Sequence, residues 1–167
     1  MLKRKKKGAL QRVVVSDLLT AAADRQEGDG AEKRAANLRE HAKEFEGLVV
    51  VIEYLGKAKS KEWAALGDKM QMENNRELAK LRRGMPKEVA PELYAEGFEA
   101  PGARDRLEKF CRTVLTDCVR EVHGVEEHDS NDQPDEHAAV LIEFGLGLVL
   151  SEEAGRLQRV VEADSFS

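Results

Sequence analysis

The 167 residues suit a single domain of ordinary size, with 41% hydrophobic residues available for a core and 35% charged residues around it. The formal net charge of −5 disfavours nucleic acid and membrane surfaces as partners of the body of the protein. No run approaches the ~18 consecutive apolar residues that a membrane span needs, so we expect no membrane segment.

A run of five basic residues lies near the start of the chain. It comprises Lys3, Arg4, Lys5, Lys6 and Lys7. We predict that residues 1–9 form a mobile basic head on an acidic body of about −10, which is −5 minus the five positive charges. A solvated tail that aids solubility is the default interpretation. Docking on an acidic protein surface and contact with nucleic acid are the alternatives, and no interleaved aromatic residues support the second.

The first half of the body predicts two helices and one strand. Residues 16–23 form a short helix after an extended stretch, and residues 31–45 form a helix with few apolar positions. The best strand is 48–55, LVVVIEYL, which lies between two glycines and contains Val51 and Tyr54. This run is too continuous to alternate, so we expect it to be covered on both faces or to pair with a second copy. Residues 10–15 are the only other β-rich run, so any sheet is small.

A long polar helix and a linker follow. Residues 57–81 predict a helix capped by Ser60, with Trp63 on its apolar stripe. Asn74 and Asn75 weaken its middle, so the alternative is a helix in two pieces. Trp63 is interpreted as a core or groove residue, and as part of a partner interface in the alternative. Residues 82–103 contain three of the four prolines, so we predict a linker with one short turn at 88–95.

The clearest core helix is predicted at residues 106–125, RLEKFCRTVLTDCVREVHGV. Its apolar residues recur at spacings of three and four, and Gly124 suits the end of a helix. Cys111 and Cys118 lie seven residues apart on this helix, ~10 Å by helical rise, which is too far for a disulfide. We interpret both thiols as core residues of a protein in a reducing compartment.

The C-terminal part of the chain predicts an acidic loop and a helical pair. The loop covers residues 125–137, and the helices cover 138–150 and 152–166, with Ser151 at the start of the second. Glycines at 145 and 147 allow another backbone to approach the first helix closely.

No catalytic motif is present. A metal site is conceivable around the acidic loop, where aspartates lie near His123, His128 and His137. These residues lack the tight spacing of zinc ligands, and the loop lacks the central glycine of a calcium-binding loop. A catalytic pair of Cys111 as nucleophile with His123 or His41 as base is disfavoured, because the thiol lies on the apolar face of a helix, where thiols are normally inert. We therefore expect no catalysis, no metal and no cofactor.

Three stretches carry a resemblance to a known family. They are FEGLVVVIEYLGKAKSKEWAALGDKM (residues 45–70), NNRELAKL (74–81) and FCRTVLTDCVREVHGVE (110–126). Their order resembles the tail assembly chaperones of tailed bacteriophages over about two-thirds of the chain. The sequence departs from that pattern at Val122-His123-Gly124, where the family has tryptophan before the glycine, and in its longer proline-rich segment and basic head.

The predicted elements indicate a mainly helical (α+β) single domain over residues 10–167, with a small β element around residues 48–55. The resemblance implies a non-enzymatic protein of the host cytoplasm that binds the tape-measure protein, or another tail protein, and self-associates. Partner-binding residues are then expected on the strand, at the tryptophan and near the C-terminal helices. They are Val51, Tyr54, Trp63, Phe144, Leu146, Leu148 and Phe166. A virion structural component, such as a connector or tail accessory protein, and a nucleic-acid-binding regulator that uses the basic head are the alternatives.

Overall fold

The structure, a computed structural model, describes residues 7–164, and the side chains among them through Arg159. Three short strands form one sheet: β1 (Leu10–Val14), β2 (Val49–Glu53) and β3 (Val119–His123). The α-helices of this region are α1 (Val15–Gly28), α2 (Glu32–Glu44), α3 (Lys57–Gly84), α4 (Ala103–Cys118), α5 (Pro134–Glu143) and α6 (Gly147–Asp164). The prediction of a mainly helical domain with a small β element is confirmed.

The sheet is antiparallel with β2 in the centre, in the order β1-β2-β3. The two β-rich runs predicted from the sequence are therefore neighbours, with Val13 opposite Val50. Val50 and Ile52 are fully buried, since the inward face of the central strand packs against helices. The core comprises this inward sheet face together with apolar residues of all six α-helices named above.

The predicted helix over 106–125 ends at Cys118, and the chain continues directly into β3. Val119 and Val122 are three residues apart, a spacing that fits the apolar stripe of a helix. The strand buries both because its pairing with β2 shifts register between Val51 and Ile52, which leaves Arg120 as an extra residue. Arg120 is held there by an ion pair with Glu53.

Gly124 follows a strand and not a helix, but it still requires glycine. Its φ is +90°, and a Cβ at this position would lie 2.1 Å from the carbonyl oxygen of Gly47. The two turns that flank the β2–β3 pair therefore touch backbone to backbone.

Several predicted boundaries are corrected. The helix α3 runs unbroken through Asn74 and Asn75, and Ser60 is buried inside its first turns while Gly56 occupies the N-cap. One prediction here is confirmed, since a 3-10 helix at Pro91–Tyr94 is the short turn predicted within residues 88–95. The acidic loop ends four residues early, because α5 begins at Pro134 with the Glu136 carboxylate accepting a hydrogen bond from the Gln133 N–H at 3.3 Å.

The two predicted C-terminal helices are present, but their boundaries differ from the predicted ones. The break between the helices lies at residues 144–146, where Gly145 has a φ of +76°. Ser151 therefore lies within α6 and does not start it. Among the described residues, no helix combines the length and the apolar character that crossing a membrane takes.

Candidate interaction surface

Three of the predicted partner-binding residues are in the interior. Val51, Trp63 and Leu146 expose 2%, 4% and 3% of their surface. Val51 lies on the central strand, and the other two belong to the hydrophobic core. A partner cannot reach these side chains in the folded protein, so their predicted role at the surface is corrected to a role in packing.

Trp63 joins α3 to α4. Its Nε1–H donates a hydrogen bond to Asp117 Oδ2 at 2.9 Å, and Lys59 Nζ lies 3.4 Å from the same carboxylate oxygen. Burial of the indole ring with its polar atom satisfied is the expected arrangement for a packed tryptophan. The sequence interpretation of Trp63 as a core residue is confirmed.

Phe144 and Leu148 do lie at the surface, and Tyr54 is partly buried. The Phe144 ring meets the Phe45 ring edge-on, with 5.9 Å between the ring centroids. Lys7 is exposed. Phe166 and the other basic-head residues, Lys3, Arg4, Lys5 and Lys6, lie outside the described residues.

Most of the exposed large hydrophobic side chains in the described part of the chain are elsewhere. They lie on residues 64–102, which we call the arm: α3 beyond Trp63 and the segment that leads to α4. Only Ala90, Leu93 and Ala100 are buried in the arm. It carries six of the ten large hydrophobic side chains that are exposed in the described part of the chain. They are Leu66, Met72, Met85, Val89, Tyr94 and Phe98. The helical part of the arm is about 30 Å long.

The return segment of the arm is folded onto α3 by polar contacts. Arg82 Nε donates to the carbonyl oxygen of Leu93 at 2.9 Å, and its guanidinium carbon lies 5.0 Å from the centre of the Tyr94 ring. The Tyr94 hydroxyl donates to the carbonyl oxygen of Met85 at 3.2 Å. The arm is therefore an ordered structure, although its proline content predicted a linker.

A groove separates the arm from α4. Its floor is formed by Leu66, Met70 and Phe110, and the cavity above them has a volume of about 130 Å³. The remaining lining residues are Lys69, Glu73, Arg106, Lys109 and Thr113. Leu66 and Phe110 are only partly covered by the surrounding protein. The groove thus offers apolar contact inside a charged rim.

His128 of the acidic loop and His137 of α5 form a largely buried pair. His128 Nδ1 lies 3.0 Å from Asp132 Oδ2, and His128 Nε2 lies 2.8 Å from His137 Nδ1. Burial, reinforced by the neighbouring His128, lowers the pKa of His137, while Asp132 and Glu136 oppose that shift. His137 Nε2 is buried without a hydrogen-bond partner.

The predicted alternative of a metal site at the three histidines finds no support in the geometry. His123 lies beside Glu121, with 3.6 Å between Nε2 and Oε1, while the other two histidines contact each other. Within residues 7–164 no three His, Cys, Asp or Glu side chains converge as metal ligands do.

Both thiols are core residues, as predicted. Cys111 is 2% exposed and Cys118 is fully buried. Burial raises the pKa of Cys111 and raises the pKa of Cys118 to about 12. At neutral pH both sulfurs are therefore protonated, and neither is a ready nucleophile.

The arm is the feature that sequence reasoning missed. Its exposed Met72, Met85 and Val89 lie in stretches whose prolines and charges predicted a polar helix and a linker. A signal was present, because a linker needs neither Tyr94 nor Phe98. Comparisons with protein-family models, with curated proteins and with solved structures gave no match.

Proposed function

We propose that the protein is a non-enzymatic binding protein that holds another protein against its arm. The observation that carries this proposal is the concentration of exposed large hydrophobic side chains on residues 64–102. Large hydrophobic side chains that are exposed together on one part of a protein often mark a site of protein association. The contacts of Arg82 and Tyr94 keep the surface ordered before a partner binds, which reduces the entropy cost of binding.

The partner that fits this proposal is a long protein with exposed apolar segments. The resemblance to tail assembly chaperones suggests the tape-measure protein of a tailed phage, held soluble in the host cytoplasm while the tail assembles, with several copies of this chain along it. Exposed methionines suit that role, because their flexible side chains adapt to successive apolar segments.

The test is co-expression with a tape-measure protein. The double variant M72S/V89S removes two arm side chains that expose 63% and 73% of their surface, so the fold should be retained. We expect this variant to lose co-purification of the tape-measure protein and to leave it insoluble. The matched control L10S/L148S removes two exposed apolar side chains outside the arm and should behave as wild type.

Two results would contradict the proposal. Wild-type protein that neither retains nor solubilises the tape-measure protein removes the chaperone function. Loss of binding in L10S/L148S with retention in M72S/V89S moves the surface away from the arm.

The two alternatives have separate readouts. A virion structural component is present in purified particles by mass spectrometry, whereas a chaperone is absent from them. A nucleic-acid-binding regulator shows DNA affinity that falls steeply with salt and is lost when residues 1–8 are deleted. Sedimentation velocity tests the expected self-association.

A further inference from the structure

We infer that the groove between the arm and α4 binds the apolar face of an acidic amphipathic helix. The inference rests on the proposed function and specifies the chemistry of the partner. Two observations on the described residues support it: the floor of the groove is apolar, and the cations of its rim form no ion pair with a carboxylate.

The rim has an excess of positive charge. The rim contains Lys69 on α3 and Arg106 and Lys109 on α4, and Glu73 is its one carboxylate, which makes three cations against one anion. Among the described residues, none of these cations lies within 4.0 Å of a carboxylate oxygen, although ion pairs are frequent elsewhere in this region. This excess stands out because the net charge of the chain is −5. A partner with carboxylates along both flanks would complement it.

The position of Arg106 is fixed by neutral groups. Its Nε donates to Asn74 Oδ1 at 2.6 Å, and a terminal nitrogen donates to the carbonyl oxygen of Pro101 at 2.6 Å. These acceptors orient the guanidinium without neutralising it. Lys109 lies three residues further along α4, where two like charges on one helix face repel each other. A carboxylate bound between them would relieve that repulsion.

The shape of the groove selects a helix as its occupant. Trp63 contacts Asp117 and Asn74 contacts Arg106, so α3 and α4 run antiparallel side by side. Two such helices leave a furrow that accepts the apolar stripe of a third. The groove extends along α3 from Leu66 to Glu73, about two helical turns, which matches apolar residues spaced i, i+3/i+4 and i+7.

Fluorescence anisotropy with designed helical peptides of about 15 residues tests this inference, a length at which isolated helices begin to form. The acidic peptide carries leucines on one face and glutamates on both flanks. Two matched peptides replace every glutamate by glutamine or by lysine. We expect the acidic peptide to bind tightest, the lysine peptide weakest, and the preference to decrease as salt is added.

The protein variants locate the binding site. K69Q/K109Q should weaken binding of the acidic peptide by about tenfold at low salt and leave binding of the glutamine peptide nearly unchanged. M70Q should weaken both peptides, because it removes apolar floor. The control K61Q changes an exposed lysine of α3 outside the groove and should bind as wild type.

Equal binding of the acidic and glutamine peptides, or an equal effect of K61Q and K69Q/K109Q, would overturn the inference. Tightest binding of the lysine peptide would overturn it as well. Failure here is distinguishable from failure of the proposed function. If M72S/V89S loses the tape-measure protein and K69Q/K109Q retains it, the arm binds protein but the groove does not select acidic helices.

Discussion

Gln158 provides the sharpest test of how the fold is held together. Its side chain is fully buried on α6 and reaches the end of β2. The side-chain oxygen accepts hydrogen bonds from the backbone N–H groups of Leu55 at 2.8 Å and Gly56 at 3.1 Å, and its nitrogen donates to the carbonyl oxygen of Glu53 at 3.1 Å. One amide side chain thus takes the place of a neighbouring strand where β2 ends.

The substitution Gln158→Leu keeps much of the volume and removes all three hydrogen bonds. Each buried backbone group left without a partner costs about 1–3 kcal/mol. The hydrogen bonds of Leu55 and Glu53 are only partly buried, so water can replace some of the loss there, while the Gly56 N–H is fully buried. We therefore expect the free energy of unfolding to fall by about 3 kcal/mol.

Urea denaturation followed by circular dichroism measures this loss. The control Arg159→Met changes the adjacent exposed residue of the same helix and should alter stability by less than about 0.5 kcal/mol. A loss below about 1 kcal/mol in Gln158→Leu would refute the argument that this side chain completes the hydrogen bonding of β2.

Two further predictions concern the turn after β3 and the buried histidine pair. Gly124→Ala should lower the free energy of unfolding by at least about 2 kcal/mol in thermal unfolding, because φ is +90° there and the added Cβ would overlap the Gly47 carbonyl. The control Gly84→Ala has open space around the added methyl group and should be neutral. Equal effects of the two substitutions would contradict this reasoning. The lowered pKa of His137 means that the native state favours the neutral ring, so stability is fully present above the ordinary histidine pKa of about 6.5 and is lost as pH falls below it. Urea titrations between about pH 7.5 and 5 should show this loss, and the slope should be smaller in His137→Leu; an unchanged slope would exclude His137 as its source.

The sequence predicted most of the elements because local signals were strong there. The valine run at 48–55 and the apolar spacing on α4 both indicate buried residues, and both segments do supply residues of the core. The end of α4 was mispredicted because Val119 and Val122 satisfy a helix and a bulged strand equally well. Only the ladder with β2 distinguishes the two, and a ladder is a long-range contact that local periodicity does not contain.

The interaction surface was harder to predict for a related reason. Apolar residues were assigned to the partner when they lay in hydrophobic runs, as with Val51 and Leu146, yet such runs are what the interior uses. The exposed apolar residues of the arm, Met72 and Val89 among them, are scattered singly over residues 66–98. They belong to one ordered unit because the return segment folds back on α3, which composition alone does not indicate.

The contact between Trp63 and Asp117 also gives the molecule a built-in spectroscopic reporter. Trp63 is the single tryptophan of the sequence, and its ring is buried at the point where the arm leaves the body. Its emission depends on the carboxylate beside it and on how closely α3 and α4 approach each other. An occupant that separates the two helices would shift that emission toward longer wavelengths, so docking is observable in the unlabelled protein.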